Sequence, residues 1–241
     1  MTKLSILIPA FNESRFIVEI LNRIKDVDLN QHGVEKEILV IDDGSTDDTV
    51  EKARGVLGDN IRVIAYKDPN HGKANAIKTG IKNSSGDIII IQDADLEYNP
   101  QEYYSLIKPI IDGKASVVYG SRSLAQGGWS LKNKPKDAYM LAYLAGIFLT
   151  IVTNLLYGSN LTDMNTCYKV FKASMLRREI KLKSTQFDFD QEVTAKVLRK
   201  GYKILEIPIS YNPRSKEEGK KVNWKTGLLA LWTLVKYRFT D

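Results

Sequence analysis

Two aspartates one residue apart, Asp93 and Asp95, close an apolar run, with Glu97 two positions further on. Carboxylates this close repel one another, and a cation between them or hydrogen bonds around them relieves the repulsion. Their oxygens suit a hard divalent ion, and such an ion suits a phosphorylated ligand. The plainer alternative is a solvated turn in which one aspartate caps the next helix. Two further clusters follow apolar runs in the same way: Pro9, Phe11, Asn12 and Glu13, then Asp42, Asp43, Gly44 and Ser45. An aromatic ring and a carboxylate in such places can stack on a base and accept its N–H groups. No G-x-x-x-x-G-K-[ST] segment is present, and no G-x-G-x-x-G follows the first run, so neither a P-loop enzyme nor a typical dinucleotide binder fits. A diphosphate would be met by metal on carboxylates.

The elements that position these residues alternate in type. Leu4 to Ile8 reads as a strand, and Phe16, Ile17, Ile20, Leu21 and Ile24 follow at helical spacing behind Asn12 and Ser14 as caps. Glu37 to Ile41 is a second strand, after which Ser45 opens a helix with Asp48 in capping-box position. Ile61 to Tyr66 is a third strand, and a helix runs from about Lys73 to Lys82. The four isoleucines 88 to 91 read as a strand buried on both faces. Pro100 fits the first turn of a helix, and Ser116 to Tyr119 is a fifth strand. This alternation predicts a mostly parallel α/β sheet with helices on both faces, where ligands bind at the C-terminal strand ends.

The second half is less regular. Leu124 to Asp137 reads as a long loop, and Ala138 to Tyr157 as an apolar helix, buried or interfacial, interrupted by Thr150, Thr153 and Asn154. A strand near Tyr168 to Phe171, a helix near Asp190 to Lys200 and a strand near Ile204 follow. Trp224 to Phe239 is apolar and aromatic with basic ends, a pattern that fits a membrane surface or the core. At 241 residues the chain accommodates one large α/β domain, or one domain with an added lobe. A lone Cys167 excludes an intramolecular disulfide and, with no secretory signal pattern, predicts a cytoplasmic protein. The net charge of +6 is concentrated in basic residues near the C-terminus, which suits phosphates or an anionic membrane face; no nucleic-acid motif accompanies it.

Ile8-Pro9-Ala10-Phe11-Asn12-Glu13, then Asp42-Asp43-Gly44-Ser45-Thr46-Asp47, then Asp93-Ala94-Asp95 resembles the ordered signature of family 2 inverting glycosyltransferases with the GT-A fold. Gly120-Ser121-Arg122, Thr162-Asp163 through Cys167-Tyr168-Lys169, and Pro208 through Arg214, Gly219 and Lys221 are similar to the polyprenyl-phosphate sugar synthases, which include the dolichyl-phosphate mannose and glucose synthases. The resemblance implies a single domain over 1–241, with residues 1–120 binding the nucleotide sugar and 121–241 the acceptor. It implies a nucleoside held by Pro9, Phe11, Glu13 and Asp42, with Lys73 near it or near the phosphates. It implies that Asp93 and Asp95 serve the ribose, the diphosphate and a Mg²⁺ or Mn²⁺ ion. Glu97 stands where mannose synthases often have glutamine and is a third candidate ligand. Arg122 and Arg214, with Lys221 assisting, would meet the acceptor phosphate, and Asp95, Arg122 and Arg214 would carry catalysis. The partners implied are a nucleotide-sugar donor, a dolichyl or undecaprenyl phosphate acceptor and the cytoplasmic face of a membrane, reached through the surface helices or an anchoring partner.

A lipid phosphate, with a second pKa of about 6, is largely a dianion at neutral pH, so this chemistry needs no strong base. His32 and His71 are then not required as catalysts. The chain departs from its relatives at Ala145-Gly146-Ile147-Phe148 and at Lys132, Lys134 and Lys136, which bear on the acceptor site. A saccharide or other hydroxyl acceptor would instead need a base, for which Asp188, Asp190 and Glu192 are the candidates; their plainer role is capping and loop anchoring. A third reading is a membrane-surface scaffold that only binds nucleotide.

Overall fold

The computed structural model describes residues 1–56, 58, 60–68, 71–129, 140–186, 188–213 and 224–240. Its first half alternates as the spacing predicts: β1 (Thr2–Ala10), α1 (Ile17–Lys25), β2 (Val34–Asp42), α2 (Thr49–Gly55), β3 (Ile61–Ala65), α3 (Lys73–Asn83), β4 (Ile88–Ile91), α4 (Tyr103–Ile111) and β5 (Val117–Ser121). There follow α5 (Arg122–Ala125), α6 (Met140–Tyr157), β6 (Lys169–Lys172), α7 (Ala173–Glu179), α8 (Phe189–Arg199), β7 (Ile204–Pro208) and α9 (Trp224–Phe239). Among the described residues the strands form one seven-stranded sheet in the order β3-β2-β1-β4-β6-β5-β7. Every pairing is parallel except those of β6, which runs against both β4 and β5.

The sheet is mixed because β6 enters from the edge where its neighbours end. The buried isoleucines of β4 sit in the middle, and all four are inaccessible to solvent, as a run apolar on both faces requires. Ile17, Ile20, Leu21 and Ile24 of α1 are fully buried, so the predicted helical face is the one that packs. The main core gathers residues of both halves, while Leu149, Leu161, Met164, Ala230 and Leu234 make a second, small core between α6 and α9.

Local helix starts differ from the sequence reading. Neither Asn12 nor Ser14 caps α1, which begins behind Phe16 without a side-chain cap. α2 opens at Thr49 rather than Ser45, and Asp48 makes no capping bond. Asp47 does that work, accepting from Thr49 N at 3.0 Å. Asn12 and Ser45 are drawn instead into contacts between loops.

One polar contact in the core ties three strands. The β1–β2 register places Ser5 opposite Glu37, and the Ser5 hydroxyl donates to that carboxylate. Ser85 N (2.5 Å), Ser85 Oγ (2.8 Å) and Gly86 N (3.0 Å) donate to it as well, and Lys3 Nζ lies 3.4 Å away. Burial alone would raise the Glu37 pKa, but the hydrogen bonds from Ser5 and Ser85 and the Lys3 charge outweigh it and hold it at about 2. A carboxylate depressed in the folded state stabilises the fold fully above its usual pKa of 4.5, and that stabilisation is lost as pH falls through about 2. Denaturant melts across this pH range should show the loss, and Glu37→Gln should lower stability at neutral pH and flatten the acid limb.

Candidate active site

The strand order reverses around β1, with β2 and β3 on one side and β4 on the other. A crevice at such a switch point is the expected ligand site of an open α/β sheet. The loops after β1, β2 and β4 meet there. Pro9 lies in the last part of β1 opposite Ile41, and Phe11 follows with its ring 40% exposed at the cleft mouth. Asn12 takes φ +56°, a left-handed conformation that asparagine tolerates, and its N–H donates to Ser45 Oγ at 2.8 Å. Thr46 N returns the contact to Asn12 Oδ1 at 2.8 Å, and Glu13 N donates to Thr49 Oγ1 at 2.9 Å. The β1 and β2 loops are thereby stitched into one wall.

Asp42 turns inward and accepts from Gly44 N (3.0 Å), Ser45 N (2.9 Å) and Ser45 Oγ (2.5 Å). Asp43 accepts from His71 N and Gly72 N at 2.9 and 2.7 Å, anchoring the start of α3. The His71 ring meets Tyr66 edge-on at 5.0 Å, a structural contact. His32, exposed, stacks on Tyr104 at 3.5 Å.

Lys73, the first residue of α3, donates to Asp93 Oδ1 at 2.6 Å. Burial disfavours both charges, but Asp93 outweighs it on Lys73 and holds the ammonium well above its ordinary pKa. Lys73, with the Cys167 and Lys169 contributions, likewise holds Asp93 below the usual carboxylate range. The aspartate's backbone is fixed from beneath. Asp93 N donates to Cys167 Sγ at 3.1 Å, and Gln92, buried between the hydroxyls of Tyr103 (2.7 Å) and Tyr168 (2.8 Å), donates to Asp93 O at 2.8 Å. Burial pushes the Cys167 thiol up, so it is neutral, and it donates to Ile91 O at 3.6 Å.

Asp95 is buried beside this pair, and Glu97 N donates to its Oδ1 at 3.2 Å. Leu96 between them has φ +61°, a strained backbone for a branched residue. The Glu97 carboxylate accepts from Tyr211 OH at 2.9 Å, and Glu97 O accepts from Asn212 N at 3.0 Å. Arg122 forms a bidentate pair with Asp163 (2.6 and 2.7 Å), and its guanidinium lies 4.9 Å from the Tyr211 ring centroid. Asp163 N and Thr162 N are held in turn by Glu206 at 2.9 and 2.7 Å. Burial raises the Glu206 pKa against these bonds. Arg122 is therefore built into a chain that ends on Glu97. Arg214 and Lys221 lie outside the described residues, as do Lys132, Lys134 and Lys136.

Among the described residues no three His, Cys, Asp or Glu side chains gather as a ready-made metal cage. Asp93 and Asp95 still fit a hard cation of the kind that keeps only one or two carboxylates and takes its other ligands from phosphates and water. Of the α8 acids, Glu192 anchors Lys183 N and Ser184 N, each at 2.7 Å, and pairs with Lys196 at 2.7 Å. Asp190 pairs with Lys169 at 2.7 Å, and Asp188 accepts from Thr233 at 3.4 Å without capping its helix.

Residues 5–181 match the profile of the family described as glycosyl transferase family 2. The chain belongs to that family. An uncharacterized protein of Methanocaldococcus jannaschii is 30% identical, covering 95% of this chain and 90% of that one. A dolichol-phosphate mannosyltransferase of Pyrococcus furiosus is 28% identical over 90% of this chain, which spans only 59% of that protein. An undecaprenyl-phosphate mannosyltransferase of Micrococcus luteus is 26% identical, covering 89% and 85%. Relatives so named carry the subgroup resemblance that the sequence motifs showed. Glucosyl-3-phosphoglycerate synthase of Mycobacterium tuberculosis, solved with Mn²⁺, UDP and phosphoglyceric acid, superposes with a TM-score of 0.71 at 17% identity, over 100% of this chain and 80% of that one. That likeness shows the GT-A fold. Family and fold make this protein a glycosyltransferase.

Gly72 has φ +92°, and a Cβ there would lie 2.1 Å from Thr185 O. Gly72→Ala therefore forces apart the start of α3 and the 185–186 segment and moves Lys73. We expect a loss of about 2 kcal/mol or more in denaturant melts, together with weaker nucleotide binding by titration calorimetry.

Proposed function

We propose that this glycosyltransferase moves a hexose from a nucleotide sugar, of the GDP-mannose or UDP-glucose type, to a polyprenyl phosphate at the cytoplasmic face of a membrane. The observation that carries the reading is the presence, on one chain, of the Asp93–Asp95–Lys73 cleft and of a helix with an exposed apolar face. That face is on α6, where Leu141, Leu144, Phe148, Ile151 and Leu155 recur at helical spacing and stand open to solvent. Mean hydropathy along α6 is 1.8 with only 17% of the helix buried, unlike a core helix. Leu228, Leu229, Trp232 and Phe239 of α9 add exposed apolar surface, with Lys236 and Arg238 at the helix end. Apolar faces with basic flanks suit an anionic lipid surface. Between the C-terminal end of α6 and Trp129 lies a cavity of about 490 Å³, lined also by Ile151, Asn154 and Leu155, which suits part of a lipid chain.

In this reading Phe11 stacks on the base, Pro9, Glu13 and Asp42 shape the nucleoside pocket, and Lys73 meets the diphosphate. Asp93 and Asp95 would hold a Mg²⁺ or Mn²⁺ ion, which when bound neutralises charge on the leaving diphosphate. Lys73 adds a fixed positive charge at the same place, where preorganised charge is most effective. The lipid phosphate, already ionised, attacks the anomeric carbon on the face opposite the departing nucleotide and inverts its configuration. Arg122, oriented by Asp163, lines the acceptor side, and Arg214 and Lys221 keep the phosphate roles that the motifs imply. No residue has to remove a proton from the acceptor, which agrees with the structural employment of Glu192.

Purified protein incubated with Mn²⁺ or Mg²⁺, labelled GDP- or UDP-sugars and polyprenyl phosphate should put label into an organic extract. Asp95→Ala should reduce that signal by at least about 100-fold. Transfer to free saccharides alone would sink the proposal, and nucleotide binding without turnover would favour a scaffold. Separately, the protein should float with anionic liposomes in a density gradient. Leu144→Asp combined with Phe148→Asp should abolish flotation while the melting temperature holds.

A further inference from the structure

Two carboxylates of the cleft are held in the same manner. Asp93 gives Oδ1 to Lys73 at 2.6 Å, and Asp190, on the first turn of α8, gives Oδ1 to Lys169 at 2.7 Å. Among the described residues no hydrogen bond reaches Asp190 Oδ2, whereas the Asp93 carboxylate also interacts with Cys167; the two side chains are 24% and 25% exposed. A carboxylate oxygen has lone pairs to offer, so the partly exposed Asp190 presents an open acceptor.

The two pairs are neighbours through Cys167. Its Sγ accepts from Asp93 N, and its carbonyl accepts from Lys169 N at 2.7 Å. Lys73 feels the charge of Asp190 as well as that of Asp93, and Asp93 feels Lys169 as well as Lys73.

Asp190 is also unusually well fixed. Lys169 is wholly buried, donates to Thr166 O at 2.5 Å and sits 4.9 Å from the Tyr119 ring centroid. The Tyr119 hydroxyl meets Thr194 Oγ1 at 2.9 Å, and Thr194 Oγ1 donates to Asp190 O at 2.6 Å. The contacts close into a ring, from Asp190 through Lys169, Tyr119 and Thr194 back to Asp190. Rigid placement of an open acceptor is what recognition of one hydroxyl among several requires.

We propose that Asp190 is a specificity-determining residue for the donor sugar: its open carboxylate oxygen accepts a hydrogen bond from a hexose ring hydroxyl, and Lys169 is the positioning residue that aims it. This rests on the glycosyltransferase reading above and adds the part of the donor that reading leaves unassigned. It also separates Asp190 from the role of general base. Taking a proton onto Asp190 would leave the buried Lys169 ammonium without its counter-charge, a costly arrangement.

The test compares bare nucleotide with nucleotide sugar. Titration calorimetry on the full chain with Mn²⁺ would use GDP and UDP, then the epimer pairs GDP-mannose with GDP-glucose and UDP-glucose with UDP-galactose. Asp190→Asn should leave the affinity for the preferred nucleoside diphosphate within about twofold. It should weaken the preferred nucleotide sugar by about 10- to 100-fold, the range of one charge-assisted hydrogen bond, and remove most discrimination between epimers. Asp190→Glu keeps the charge while displacing the acceptor, so it should also blunt epimer choice, and it serves as the readout if the asparagine variant fails to fold. Unchanged sugar affinity and epimer choice would overturn the proposal. So would equal losses for nucleotide and nucleotide sugar, the mark of a purely structural role, or a collapse of kcat with KM unchanged, the mark of a base. A wild-type protein that binds neither nucleotide nor nucleotide sugar would instead overturn the glycosyltransferase reading itself.

Discussion

Charge balance at the C-terminal edge of the sheet is the constraint on which this structure depends. Strand ends, loops and helix starts bring Asp42, Asp43, Asp93, Asp95, Asp163 and Asp190 into one region, and unpaired carboxylates there would repel one another. The aspartates are met by different means. Asp42 and Asp43 receive backbone N–H groups, Asp93 a lysine from α3, Asp190 a lysine from β6 and Asp163 an arginine from α5. The loops take the shapes needed to make these deliveries. Gly72 turns so that its N–H reaches Asp43, and Leu96 accepts a strained φ between Asp95 and Glu97. Each partly buried negative charge thus has a counter-charge or hydrogen-bond donors that offset its desolvation.

Much of this was legible in the sequence because the first half obeys local rules. The isoleucines of β4 could be read as a doubly buried strand, the spacing of α1 fixed its packed face, and the order of Pro9, Asp42 and Asp93 placed the cleft. What the sequence concealed was pairing at long range. Arg122 reads as a phosphate ligand from its motif, yet its guanidinium is gripped by Asp163, 41 positions away. Glu97 reads as a third candidate ligand, and nothing near it in sequence discloses that its carboxylate accepts from Tyr211, 114 positions away. Asp163 and Lys169 lie within quoted motifs, but nothing local discloses their partners, because those depend on where β6 inserts. The direction of β6 was equally hidden, since a short apolar strand carries no sign of parallel or antiparallel pairing.

The two halves use burial differently. Around the Asp93 cleft most apolar side chains are enclosed, and polar groups are met by short, directed bonds. Across α6 and α9 the apolar residues are divided between a small inner core and an open outer face. Thr150 and Thr153, which interrupt the apolar pattern, point inward and return their hydroxyls to carbonyls one turn back, at 2.9 and 2.8 Å. Asn154 does similar service, accepting from Leu161 N and donating to Leu161 O, both at 2.8 Å. The polar residues of α6 thus face the protein beside Leu149, while Leu141, Leu144, Phe148, Ile151 and Leu155 face out.

The reversed strand has a consequence for how such a protein can diversify. Because β6 starts at the edge where β5 stops, the chain between them leaves the sheet and returns to it at the same rim. An excursion of that kind can lengthen or shorten with only a slow change in closure entropy. Its length can change, provided the returning end still delivers Asp163 to Arg122, Cys167 beneath Asp93 and Lys169 beside Asp190. The fold thereby separates a connection whose length can vary from the few docking residues at its returning end.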